Sequence, residues 1–219
     1  MRQGKPRSSH RHENKKRKST FVLRVYRELP APHSPKPQDE RTSSTSQPTR
    51  YDAGMDKQTL IAALDFSRNR LNGTIDAIEK SGQDAQKVLS WRPGPARAHI
   101  GWQLAHCAAT HDRYLNRLLK GGEPEDPAYC DDFGGGSTPS DTNVPTIRAI
   151  REKLAKNFEQ FKSYIAGLQP ADLDRKVTLP NGNTITVGEG ALMMMWHEAH
   201  HQGQVHLTWN MYKAAHGVK

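Results

Sequence analysis

Apolar residues recur at helical spacing in four separate stretches of the chain, and each stretch is bounded by residues that start or stop helices. Leu60, Leu64, Leu71, Ile75 and Ile78 fall on one face and predict a helix from about Lys57 to Lys80, closed by Gly82. A second helix is predicted from about Ala98 to Lys120. It follows Pro93-Gly94-Pro95, carries Trp102, Leu104, Leu115 and Leu118, and ends at Gly121-Gly122. Ile147, Ile150, Leu154, Phe158, Phe161, Ile165 and Leu168 mark a third, opened by Pro145 and stopped before Pro170. The fourth opens on Thr186-Val187-Gly188-Glu189, a capping-box pattern, and runs to about His216 with Gly217 past its end.

Between the third and fourth helices, Lys176–Leu179 and Thr184–Val187 alternate β-branched residues around Asn181-Gly182, which reads as a small hairpin. The polar connection over 121–144, with Gly134-Gly135-Gly136-Ser137, is long enough to cross one end of a bundle. The expected class is therefore all-α: a four-helix bundle over 55–219, with a small β-hairpin before the last helix. Residues 1–54 are expected to be a disordered basic tail.

Charge separates the same two regions. The first 54 residues hold 13 Lys+Arg against 5 Asp+Glu, and the remainder 19 against 18. A near-neutral body with a basic arm does not imply a nucleic-acid protein; nucleic acid is expected as a partner only through that arm, at Lys15-Lys16-Arg17-Lys18. Runs such as PAPHSPKPQDERTSSTSQPTR hold too little apolar surface to offset ordering entropy. Because Met55-Asp56-Lys57 directly precedes the first patterned helix, the tail also reads as an artefact of start-site choice. No segment reaches membrane-spanning length, and Phe21–Tyr26 is too short for a secretory core. Two cysteines, Cys107 and Cys130, make a disulfide framework an unsuitable reading and point to a reducing cytoplasm.

The candidate chemistry lies in histidines. On a helix, His197 and His201 sit about 40° apart, and Met193, Thr208 and Met211 lie near the same line. Two imidazoles in so apolar a stripe lack neighbouring polar partners, whereas one divalent ion would satisfy both. A third ligand is available from His106. It lies eight residues after Ala98, as His197 lies eight after Glu189, so the three nitrogens meet if the second and fourth helices run parallel; an antiparallel pair is expected to break the site. His111 points about 140° away from His106 and reads as a core or surface residue, and His99 lies two turns off. Cys107, about 100° from His106, reads as a small core residue, as do the aromatics Trp102, Trp209, Tyr114 and Tyr212.

The string His197-Glu198-Ala199-His200-His201 also matches the H-E-x-x-H motif of zinc proteases. A metzincin would need Gly at 204 and His at 207, and here Gly203 and His206 each come one position early; His206 moreover points about 180° from His197. Proteolysis is the weaker reading. Glu198, His200 and Gln204 stand as candidates for catalytic or supporting work around the ion, with Glu198 or His200 as proton carrier and Gln204 as the nearest in-line polar group.

Trp102-Gln103-Leu104-Ala105-His106 on one helix, followed on the last by His197-Glu198-Ala199-His200-His201-Gln202-Gly203-Gln204, resembles the DinB-like metal-binding superfamily. The family commonly has arginine where this chain has Gln202. The resemblance implies a four-helix bundle, frequent homodimers, and a zinc- or nickel-type divalent ion on the positions occupied here by His106, His197 and His201. It further implies relatives that are thiol-dependent S-transferases and isomerases, so the expected activity is transfer of a low-molecular-weight thiol to a small electrophile. A hydrolase of a small substrate and a non-catalytic metal-stabilised binding module are the alternatives.

Overall fold

The computed structural model describes residues 56–219; the expectations for the basic tail and for Met55 lie outside them. Six α-helices form: α1 (Lys57–Lys80), α2 (Ala85–Ser90), α3 (Ile100–Asp112), α4 (Pro127–Phe133), α5 (Ile147–Gly167) and α6 (Val187–His216). A π-helical stretch, Arg113–Leu119, continues α3, and a 3-10 turn, Pro170–Asp174, follows α5. Two short antiparallel strands, β1 (Lys176–Thr178) and β2 (Thr184–Thr186), pair with Val177 opposite Ile185.

The helices begin where side chains satisfy their first backbone N–H groups. Asp56 accepts from Gln58 and Thr59 at the start of α1, and Thr146 accepts from Ala149 at the start of α5. At α6 the capping box is complete: the Thr186 hydroxyl takes the Glu189 N–H while the Glu189 carboxylate takes the Thr186 N–H. The same helix ends at Gly217, whose φ of 65° lies in the left-handed region that glycine adopts without steric cost.

Side-chain pairs fix the directions of the four long helices. Ser67 bonds the Met195 carbonyl, Arg68 pairs with Glu198 and Gln202 bonds Thr74, so α1 and α6 run parallel. Lys162 pairs with Asp65, whereas Arg151 pairs with Asp76 and Glu79, so α5 runs against α1. Asn157 bonds the Ala108 carbonyl and Tyr114 packs on Phe161, which makes α3 and α5 parallel. The bundle is thus up, down, down, up. Because α3 and α5 point the same way, their connection has to travel back along the bundle, and it carries α4 across the flank of α3 as it does so. That connection, expected from sequence to be a loop, contains the seven-residue helix α4, about two turns.

Leu71, Ile75, Leu104, Ala108, Ile150, Leu154, Val205 and Trp209 close one end of the interior, and Leu60, Leu64, Leu115, Phe158, Phe161, Ile165, Val187 and Ala191 the other. Among the described residues no helix is long and apolar enough to cross a membrane.

Candidate metal centre

His106 lies near the middle of α3, and His197 and His201 face it from the middle of α6. Their ligand-type nitrogens all fall within 4.8 Å of one another. Gln103 meets His201, His106 meets His197 and Tyr114 lies against Gly190, so α3 and α6 are antiparallel, and the expectation that an antiparallel pair breaks the site is incorrect. The site survives because it lies near the midpoint of the crossing, where reversing one helix leaves the level of its central residues almost unchanged.

Two of the three imidazoles, His106 and His201, are oriented from behind. The Nδ1–H of His106 donates to the Phe133 carbonyl at 2.6 Å, leaving Nε2 with its lone pair turned inward, 3.1 Å from Nε2 of His197. His201 places Nδ1 3.4 Å from Oε1 of Gln103, which accepts its proton and likewise frees Nε2. These tautomers follow from the partners, since a carbonyl oxygen can only accept. Trp102 stacks on His106 at 4.7 Å between ring centroids, the two planes almost parallel, and its indole N–H donates to Ser137.

The loop that holds His106 is steered by Gly134. A Cβ there would collide with the Cys130 carbonyl and the Arg113 guanidinium, so only glycine lets the chain turn this closely beside α3 and present the Phe133 carbonyl. Arg113 reaches on to the Gly135 carbonyl at 3.4 Å.

Burial keeps all three imidazoles neutral. Desolvation is the first cause of lowered pKa in each, reinforced at His197 and His201 by neighbouring histidines and at His106 by Arg113 and His200; His201 falls to about 3 and His197 well below the usual histidine range. Neutral imidazoles are the ligating form. Two inward lone pairs 3.1 Å apart repel unless a proton or cation stands between them, and two zinc–nitrogen bonds of about 2.0–2.1 Å from one ion bring their nitrogens to roughly 3.3 Å. The donor set therefore fits a borderline divalent ion of the kind imidazole favours.

The other candidates divide by face. Glu198 is fully buried on the α1 side of α6: Nε and Nη2 of Arg68 both rest 2.6 Å from its Oε1, and the third Arg68 nitrogen, Nη1, donates to the Leu154 carbonyl. His200 is exposed, stacks on Trp196 and bonds Gln204 at 2.6 Å, so these two form a rim pair and neither touches His201 through a hydrogen bond. His111 and Cys107 are fully buried among core residues, and His99 caps α3 by accepting from the Trp102 N–H. Sequence reasoning gave no role to Gln103 or Phe133. Gln103 carried a signal, since it precedes His106 by three residues and so shares its face; a main-chain carbonyl from a distant loop carries none.

An up, down, down, up bundle with a histidine trio spanning the second and last of its four long helices is the architecture of a helical bundle whose interior could hold a metal ion. A family model described as the DinB superfamily matches residues 63–205, and the chain belongs to that superfamily. In shape it is similar to a crystal structure of a conserved protein from Enterococcus faecalis, with a TM-score of 0.55 and 16% identity, covering 71% of this chain and 95% of that one. No curated protein matches by sequence.

Proposed function

We propose that the chain is a metal-dependent transferase that joins a low-molecular-weight thiol to a small electrophile, using a zinc- or nickel-type ion on His106, His197 and His201. The observation that carries the metal half is the convergence of three neutral imidazole nitrogens from two helices. The thiol half is supported by the family resemblance, whose members include thiol-dependent S-transferases. A divalent ion on three neutral ligands would keep its positive charge and an open position, and would thereby favour a thiol in its thiolate form.

The chain's own groups have separable tasks in this reading. The Phe133 carbonyl and Gln103 hold the rings of His106 and His201 at fixed angles. Trp102 shields the outer face of His106 from water. His200, kept at the rim by Gln204, receives the proton that the incoming thiol loses and passes it to solvent. Glu198 serves the bundle through Arg68 rather than the reaction. Homodimers are the proposed assembly, on the same resemblance.

Elemental analysis of the purified protein against His106→Ala and His197→Ala tests the metal half. One ion per chain in the wild type, lost from both variants, is expected; absence of stoichiometric ion from the wild type overturns it. The visible spectrum of the cobalt-substituted protein should shift when thiols are added. An unshifted spectrum, with an ionisation near neutral pH instead, would replace the transferase by a hydrolase.

A further inference from the structure

Among the described residues, Arg68, Arg92, Arg113 and Arg151 are the arginines that are buried or half-buried. Arg68 pairs with Glu198, Arg92 with Asp141, and Arg151 with Asp76 and Glu79. Arg113 alone of the four has no carboxylate partner. Its one hydrogen bond is the long contact of 3.4 Å from Nη1 to the Gly135 carbonyl, so Nε and Nη2 meet no acceptor among the described residues. A guanidinium that has lost part of its water and faces no anion leaves that desolvation uncompensated.

Arg113 also stands beside the metal centre. It follows His106 by seven residues, about 20° around the helix, and Trp102 lies about 40° from His106 on the same side, so the three form one stripe along α3. The loop after α4 ties two of them together. The Phe133 carbonyl takes the His106 Nδ1–H, and the next residue, Gly134, lies against Arg113: a Cβ there would stand 2.6 Å from Nη1 and 3.2 Å from Cδ. One peptide unit thus reaches both side chains, which holds Nη1 within about 10 Å of the His106 ring. The charge of Arg113 accordingly opposes protonation of His106.

The orientation of the guanidinium matters. Its Nη1 and Cδ edge rests on Gly134, and the opposite edge, Nε with Nη2, is the one that grips a carboxylate through two parallel hydrogen bonds. The nearby carboxylates are already engaged. Glu198 belongs to Arg68 on the other side of α6, and Asp112 accepts from Asn116 and from the Glu125 and Asp126 N–H groups.

We propose that Arg113 is the specificity-determining residue of the metal centre and that the site takes a thiol bearing a carboxylate, sulfur toward the ion and carboxylate on Nε and Nη2 of Arg113. The sulfur end rests on the transferase reading above; the carboxylate end does not. A neutral thiol of the same length lacks the second anchor.

The test compares ω-mercaptocarboxylates of two to five methylenes with their methyl esters, titrated into the cobalt-substituted protein. At least one acid should bind about 10-fold or more tighter than its own ester, as charge-assisted hydrogen bonds to a guanidinium predict. In Arg113→Gln that ratio should fall to near one, and in Arg113→Lys, which keeps the charge without the fork, it should fall part of the way. An acid-to-ester ratio unchanged in Arg113→Gln overturns the proposal, because the ion alone then selects the acid. Equal weakening of acid and ester also overturns it, since that marks Arg113 as a support for the 133–135 loop. A second measurement needs neither ion nor thiol. In the ion-free wild-type protein, propionate should move the Arg113 Nε–H resonance along a saturating curve, while those of the exposed Arg70 and Arg117 move only linearly. A linear response at Arg113 overturns the carboxylate site, and this result decides should Arg113→Gln fail to fold. Saturation at Arg113 in a protein whose cobalt spectrum ignores every thiol would overturn the transferase reading and leave the carboxylate site standing.

Discussion

The two faces of α6 each bury polar groups in an apolar interior, yet they do so in opposite ways. Toward α1, Glu198 meets Arg68, and a full negative charge is met by a full positive one. Toward α3, His197 and His201 meet His106 with no counter-charge at all, only inward lone pairs. The first arrangement carries its own counter-charge, whereas the second has none. Residues adjacent in sequence, His197 and Glu198, thus belong to different chemistry because a helix turns about 100° per residue. The H-E-x-x-H string is broken up by the fold: its two terminal histidines share a face and its glutamate does not.

The largest expected effect concerns the open side. His197→Ala or His106→Ala should abolish stoichiometric metal while leaving the bundle folded, since each removes a ligand and no charge partner; circular dichroism and elemental analysis together check this. Retention of the ion in either variant would erase the distinction between the faces.

The closed side should respond in the reverse sense. Arg68→Ala leaves Glu198 as an unpaired buried carboxylate, already pushed upward in pKa by desolvation against the opposing pull of Arg68. The expected cost is about 3–5 kcal/mol of stability, read by urea denaturation. In the double variant Arg68→Met with Glu198→Leu, much of that loss should return, because two apolar side chains of similar bulk need no partner. Metal stoichiometry should persist in the double variant. Its disappearance would bind the two faces into one site.

Acid provides a smaller effect with a definite sign. His201 and His111 have pKa values lowered from 6.5 to about 3, so in the metal-free fold they stay neutral while the unfolded chain protonates. The unfolded state therefore binds more protons below pH 6.5, and stability falls as pH drops from 6.5 toward 3. At about 1.4 kcal/mol per pH unit, each group should subtract roughly 2 kcal/mol by pH 5. Denaturation at pH 7 and pH 5 measures this, and a flat profile would contradict it. His111→Phe should remove its own share of the slope without touching that of His201.

Helix existence was legible because the apolar spacing and the caps are local. The capping box at Thr186 and Glu189 and the stop at Gly217 stand where the pattern puts them, and α1 runs over the expected residues. Helix direction was not legible, since it depends on how a 27-residue stretch between Leu119 and Ile147 travels, and nothing within α3 or α6 encodes that route. Hence the trio was identifiable from its spacing while the argument for its level was mistaken. Arg68 was likewise hidden: on α1 it reads as an ordinary arginine among polar residues, and only its opposition to Glu198 reveals it. The short helix α4 escaped because seven residues, with Tyr129, Cys130 and Phe133 as their apolar members, are too few to show a period.

The smallest expected effect tests whether the open side is built in layers. Gln103→Leu keeps side-chain volume close to the original but removes the oxygen that receives the Nδ1 proton of His201, across a contact already long at 3.4 Å. The ring would remain in place by packing, while its proton could move to Nε2 and occupy the ligating lone pair. Loss of an outer partner of this kind costs at least about 10-fold in metal affinity, and the length of the bond puts the expectation at that lower bound, near 1.4 kcal/mol. Cobalt titration of the variant against wild type measures it. Gln103→Glu should move affinity the other way, because a carboxylate accepts the same proton more strongly and makes the imidazole a better donor to the ion. Equal affinities in all three proteins would mean that the apolar walls alone aim His201, and the two faces of α6 would then differ in charge but not in design.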